Sequence, residues 1–94
     1  MSMQDLDRLY IRMKIAQLTE RKGVSYCQMS LDLGHGKNYI QQITAGHSLP
    51  PVIELLAICR YFEVSAMDFF NTEKDNPMSE FSEAKLATLS ANNE

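Results

Sequence analysis

Lys37, Asn38, Gln41 and Gln42 are the side chains of this chain whose types and spacing best suit recognition chemistry. At about 100° per residue on a helix they fall within one arc of roughly 140°, while Ile40 and Ile43 point the opposite way. One face packs and the other is free to hydrogen-bond. An Asn or Gln amide can pair bidentately with adenine, and a Lys ammonium with the two acceptors of guanine, so the set matches the edges of base pairs. The same face also fits an ordinary solvated helix surface, since Gln and Lys are good surface helix formers. The elements around it must decide between these readings.

Ahead of these residues, Ser25 and Gln28 have the spacing of a capping box, which predicts a helix start with hydroxyl and amide each satisfying the other's backbone donor. Met29 and Leu33 give that helix its buried stripe. Ser30 is small where two crossing helices approach closely, and Gly34 supplies a turn that only glycine makes cheaply. Gly46 closes the following helix, expected over about 36–45. The run Ser48-Leu49-Pro50-Pro51 then leads into a helix over about Pro51 to Phe62, where Leu55, Ile58, Cys59 and Phe62 form the core side. A long first helix is expected from about Asp5 to Lys22. It carries Ile11, Ile15 and Leu18 toward the core, with Leu6, Leu9, Tyr10 and Met13 as a second apolar track suited either to intramolecular packing or to a dimer surface. Ser65 and Asp68 signal a short fifth helix, with Met67, Phe69 and Phe70 available to close the core. Thr72 to Asn76 reads as linker. Asn76, Pro77 and Glu80 then start a C-terminal helix with Met78, Phe81 and Leu89 on one face, packed on its own domain or across a subunit interface.

The ordered landmarks Gly23-Val24-Ser25, Gly34, Ile40, Ile43, Gly46, Pro50, Leu55-Leu56, Ile58, Phe62-Glu63-Val64-Ser65 and Asp68-Phe69-Phe70 resemble the Xre/Cro-like, phage repressor-type helix-turn-helix family. The resemblance covers about Ile11 to Phe70. It implies an all-α, compact five-helix lambda-repressor-like DNA-binding domain over 1–71 with its motif at 25–46. Residues 72–94 follow as linker and C-terminal helix or tail. It further implies a recognition helix in the major groove of double-stranded operator DNA, with the protein as a homodimer on a pseudo-palindromic site. Base contacts are then assigned to Lys37, Asn38 and Gln42, with Gln41 more peripheral. Phosphate contacts fall to Tyr26, Gly36, Tyr39, Ala45, His47 and Ser48.

Five positions depart from the family pattern. Thr44 and Thr19 stand where a Glu–Arg pair is usual, a neutral replacement that strands no buried charge. His35 replaces a buried aliphatic, and Glu63 stands where a Gly often ends the fourth helix. Ser30 replaces the usual Ala, with a hydroxyl that a local carbonyl can satisfy.

Composition sets the outer limits. The 94 residues, 45% hydrophobic, suffice for one modest core but not for the layers of a typical enzyme, and no alternating β-branched run suggests a strand. The net charge of −3 runs against the basic excess of many nucleic-acid binders. Between Arg8 and Glu63, however, Arg8, Arg12, Lys14, Arg21, Lys22, Lys37 and Arg60 face only Glu20, Asp32, Glu54 and Glu63, a balance of +3. With only Lys37 placed on the reading face, phosphate contacts are expected from neutral donors and backbone amides, with a shallow salt dependence. Cys27 and Cys59 lack metal-binding or redox spacing and read as free thiols, and His35 and His47 lack further ligands. No catalytic motif, cofactor or small-molecule ligand is indicated. With no secretory pattern and no 18-residue apolar run, a cytoplasmic, membrane-free protein is expected. The rival expectation is a helix-turn-helix scaffold serving as a protein-interaction or antitoxin-like module.

Overall fold

The first helix is set by its start. The Ser2 hydroxyl accepts from the Asp5 amide at 3.1 Å, and the Asp5 carboxylate accepts from the Ser2 amide at 3.3 Å, a complete capping box. The computed structural model, which describes residues 2–80, therefore begins α1 at Met3 and runs it to Lys22, two residues earlier than its polarity pattern suggests. The other helices are α2 (Tyr26–Asp32), α3 (Tyr39–Thr44), α4 (Val52–Tyr61) and α5 (Ala66–Phe69), followed by a 3-10 turn at Pro77–Glu80. The protein is all-α, with five helices and no strand among the described residues.

One core joins all five helices: Ile15 and Leu18 from α1, Met29 from α2, Ile40 and Ile43 from α3, Ile58 and Cys59 from α4, and Phe69 from α5. Ile11, Leu55 and Phe62 pack against it half-buried. On the second apolar track of α1, Tyr10 turns inward and its hydroxyl donates to the Phe69 carbonyl, whereas Leu6 stays exposed. Met67 and Phe70 do not close the core. A four-residue helix has one inward direction, which Phe69 takes, and Met67 lies about 160° away around the axis and is 81% exposed.

Thr19 and Thr44 are both satisfied locally. Thr19 is buried and donates to the Ile15 carbonyl at 2.6 Å, while the Thr44 hydroxyl bonds the carbonyls of Ile40 and Gln41. Beyond α5 the chain folds back on α1. The buried Lys14 ammonium donates to the Asp75 carbonyl and to Gln17 Oε1, each at 3.0 Å, and Arg21 pairs with the Asp75 carboxylate at 3.4 Å. Pro77 is buried, and Asn76 Oδ1 caps the turn by accepting from the Met78 amide. The expected C-terminal helix is a 3-10 turn as far as Glu80, and its expected face residues Phe81 and Leu89 lie outside the described residues.

Candidate nucleic-acid interface

Ser25 starts α2 by accepting from the Gln28 amide at 3.0 Å. Only this half of the expected capping box forms. The Gln28 side chain turns down its own helix and donates to Asp32 Oδ1 at 2.7 Å, because a carboxylate one turn on is a stronger acceptor partner than a backbone amide is a donor. Asp32 also accepts from the Tyr61 hydroxyl at 2.7 Å, which ties α2 to α4, and the Lys22 ammonium sits 4.9 Å from the Tyr61 ring centroid. Those hydrogen bonds, the Tyr61 one foremost, hold the Asp32 carboxyl below its ordinary range. Partial burial together with Asp32 pushes the Tyr61 phenol up to about 12.

Ser30 governs the crossing of α2 and α3. Its hydroxyl donates to the Tyr26 carbonyl at 2.7 Å and accepts from the buried Ile40 amide at 2.9 Å. Asn38, at the N-cap of α3, makes no side-chain cap, so the α2 serine supplies it across the turn. Gly34 takes the turn at φ 83°, with its amide and that of His35 closing α2 onto the carbonyls of Leu31 and Ser30. His35 bonds Glu54 Oε2 at 2.8 Å and stacks on Tyr39 with centroids 3.7 Å apart and rings 8° from parallel. His35 thus pins the turn to α4.

α3 is shorter than the expected 36–45. Tyr39 opens it, and Lys37 and Asn38 stand in the lead-in turn, which a backbone at φ −103°, ψ 6° for Asn38 keeps out of the helix. The sorting of faces nevertheless follows the sequence pattern. Ile40 and Ile43 are fully buried, and Lys37, Asn38, Gln41 and Gln42 are exposed. Gly36, Lys37, Asn38, Tyr39, Gln42 and Ser48 line one shallow depression. Gln41 instead opens onto a neighbouring depression that also takes in Arg12, Tyr26, Thr44 and Ala45.

The assigned phosphate donors divide. Tyr26 is half-buried beside Arg12, and Ser48 and Gly36 border the α3 surface. Tyr39 is displaced from that role, because its hydroxyl is buried without a hydrogen-bond partner; burial and then Glu54 raise its pKa. The side chains of Ala45 and His47 are exposed, but their amides are occupied, donating to the carbonyls of Gln41 and Gln42 as α3 ends. Arg12 was missing from the expected set. Its Nε donates to the Thr44 carbonyl at 3.1 Å, bringing a cation from α1 to the end of α3 that no local sequence signal could place there.

Cys27 is exposed and Cys59 buried, both free, and burial pushes the Cys59 thiol up. No group of potential metal ligands occurs among the described residues, and no helix among them is long and apolar enough to cross a membrane. No family model, curated protein or solved structure matches the chain.

Proposed function

We propose that this protein is a sequence-specific DNA-binding transcriptional regulator that sets the surface of α3 and its lead-in turn into the major groove, as a homodimer on a pseudo-palindromic operator. One observation carries the reading. Lys37, Asn38, Gln41 and Gln42 are exposed together on a segment whose opposite side, Ile40 and Ile43, is fully buried. Side chains anchored this way project from a rigid element, which base readout requires. Lys37, Asn38 and Gln42 take the base edges, Gln41 the margin, and Tyr26, Gly36 and Ser48 the flanking phosphates.

Selection of a random duplex library by the purified protein at low salt tests this. Enrichment of a two-fold motif with half-sites about one helical turn apart is expected. On the enriched duplex, Lys37→Ala with Gln42→Ala should cost about 1–3 kcal/mol per lost base contact and relax preference at the corresponding positions, with the circular dichroism melt unchanged.

A second reading rests on a different surface. Val52, Ile53 and Leu56 share one face of α4 and are 75%, 69% and 39% exposed, and Leu49, 46% exposed, lies in the segment that leads into that helix. This surface favours an interaction or antitoxin-like module. Absence of any enriched sequence, with no duplex binding even at low salt, would support that reading and end the first.

A further inference from the structure

The depression between the middle of α1, the start of α2 and the end of α3 has one charged residue in its lining, Arg12, and no carboxylate. Its guanidinium is held in place. Nε donates to the Thr44 carbonyl at 3.1 Å, and the plane lies against the bare backbone of Gly46, where a Cβ would come within 3.1 Å of Cζ and 3.2 Å of Nη1. The ion pairs among the described residues, Arg8 with Asp5, Arg21 with Asp75 and His35 with Glu54, leave Arg12 out. A guanidinium is a fork of five donors matched to two-oxygen anions, and one bond through Nε leaves both terminal nitrogens to serve a ligand. The Tyr26 phenol and the Gln41 amide border the same depression and add neutral donors. Gln41 also belongs to the exposed surface of α3, so the depression adjoins the proposed reading face.

We infer that Arg12, with Tyr26 and Gln41, forms a phosphate subsite that clamps the backbone of the duplex beside the groove occupied by α3. This rests on the DNA-binding reading and changes its energetics, since a fixed cation joins the neutral donors. The Thr44 carbonyl and the Gly46 backbone pre-organise the guanidinium, so little side-chain freedom is lost on binding. A phosphate contact positions the protein and carries no sequence information.

Fluorescence anisotropy of the full chain on the enriched duplex and on a scrambled duplex, from 50 to 200 mM salt, tests the subsite. Arg12→Gln, whose amide can still reach for the Thr44 carbonyl, should weaken both duplexes alike by about tenfold, the scale of a charge-assisted hydrogen bond. It should also lower the slope of log affinity against log salt by about 0.9, whereas Arg12→Lys should keep the slope. A merely structural arginine would leave the slope untouched, and an unchanged slope in Arg12→Gln overturns the inference while the DNA reading stands. If the wild-type chain binds neither duplex at low salt, both fall. Should Arg12→Gln fail to fold, Arg12→Met, which keeps the aliphatic stem and removes the charge, carries the same test: a slope lower by about 0.9 is expected, and an unchanged slope overturns the subsite.

Discussion

A single hydroxyl joins the two helices on which the proposed function depends. Ser30 donates to the Tyr26 carbonyl and accepts from the Ile40 amide, a group buried away from water at the start of α3. Ser30→Ala removes the acceptor and leaves that amide unpaired. The expected cost is about 1–3 kcal/mol of stability, read from the urea midpoint at unchanged m-value, together with a comparable weakening of any duplex bound through α3. A midpoint equal to wild type would mean that α3 holds its place without the serine. Part of this was legible. The small residue four before Gly34 reads directly as a close helix crossing, and its satisfaction by a local carbonyl follows from residue type. That the same oxygen caps a helix ten residues on does not follow, because the need arises from Asn38 failing to cap α3, and that failure is a matter of backbone geometry.

At the scale of elements, four helices end in the same hydrogen-bonded turn. After α1, α2, α3 and α4 an amide returns to the carbonyl five residues back: Val24 to Thr19, His35 to Ser30, His47 to Gln42 and Val64 to Cys59. Three of these turns place glycine in the left-handed region, Gly23, Gly34 and Gly46, and the fourth uses Glu63 at φ 58°. A residue with a Cβ pays about 1 kcal/mol there, a cost met by seating Val64 against the core. Glu63→Gly should therefore stabilise the protein by up to about 1 kcal/mol, raising the thermal midpoint by a few degrees in a melt. An unchanged or lower midpoint would show that the turn is unstrained with glutamate. The glycine ends were readable from residue type alone. The position of Glu63 marked a helix end, but its conformation follows from the packing on both sides of it.

Across the whole molecule, α1 acts as the spine to which both α3 and the segment after α5 are fastened, through Arg12 and Lys14 respectively. Lys14 is 3% exposed, and its ammonium is satisfied by a carbonyl and an amide oxygen. Burial lowers its pKa, with Asp75 acting in the opposite direction. The unfolded chain therefore binds this proton more tightly than the folded one. Below the folded pKa the full penalty of burying the charge is present, and it is relieved as pH rises from that value toward the ordinary lysine value of 10.5. Lys14→Met keeps the aliphatic volume and removes the charge. The variant should match or exceed wild type in stability near neutrality, and its advantage should shrink as pH rises toward 10.5. Urea midpoints of the two proteins compared at each pH check this; a variant less stable at neutral pH would show that the ammonium's hydrogen bonds outweigh its desolvation.

The helices, their order, the inward Ile40 and Ile43 and the outward Lys37, Asn38, Gln41 and Gln42 were determined by the sequence itself, because helical period, caps and glycine turns act over a few residues. Tertiary structure decided what required two distant segments to meet. It made Ser30 the cap of α3, seated His35 against Glu54 and Tyr39, withdrew the Tyr39 hydroxyl from the surface and laid Arg12 along the end of α3. The physical reason is that packing of distant segments decides which polar atoms are buried and which groups come within about 3 Å of them, and no local pattern encodes either.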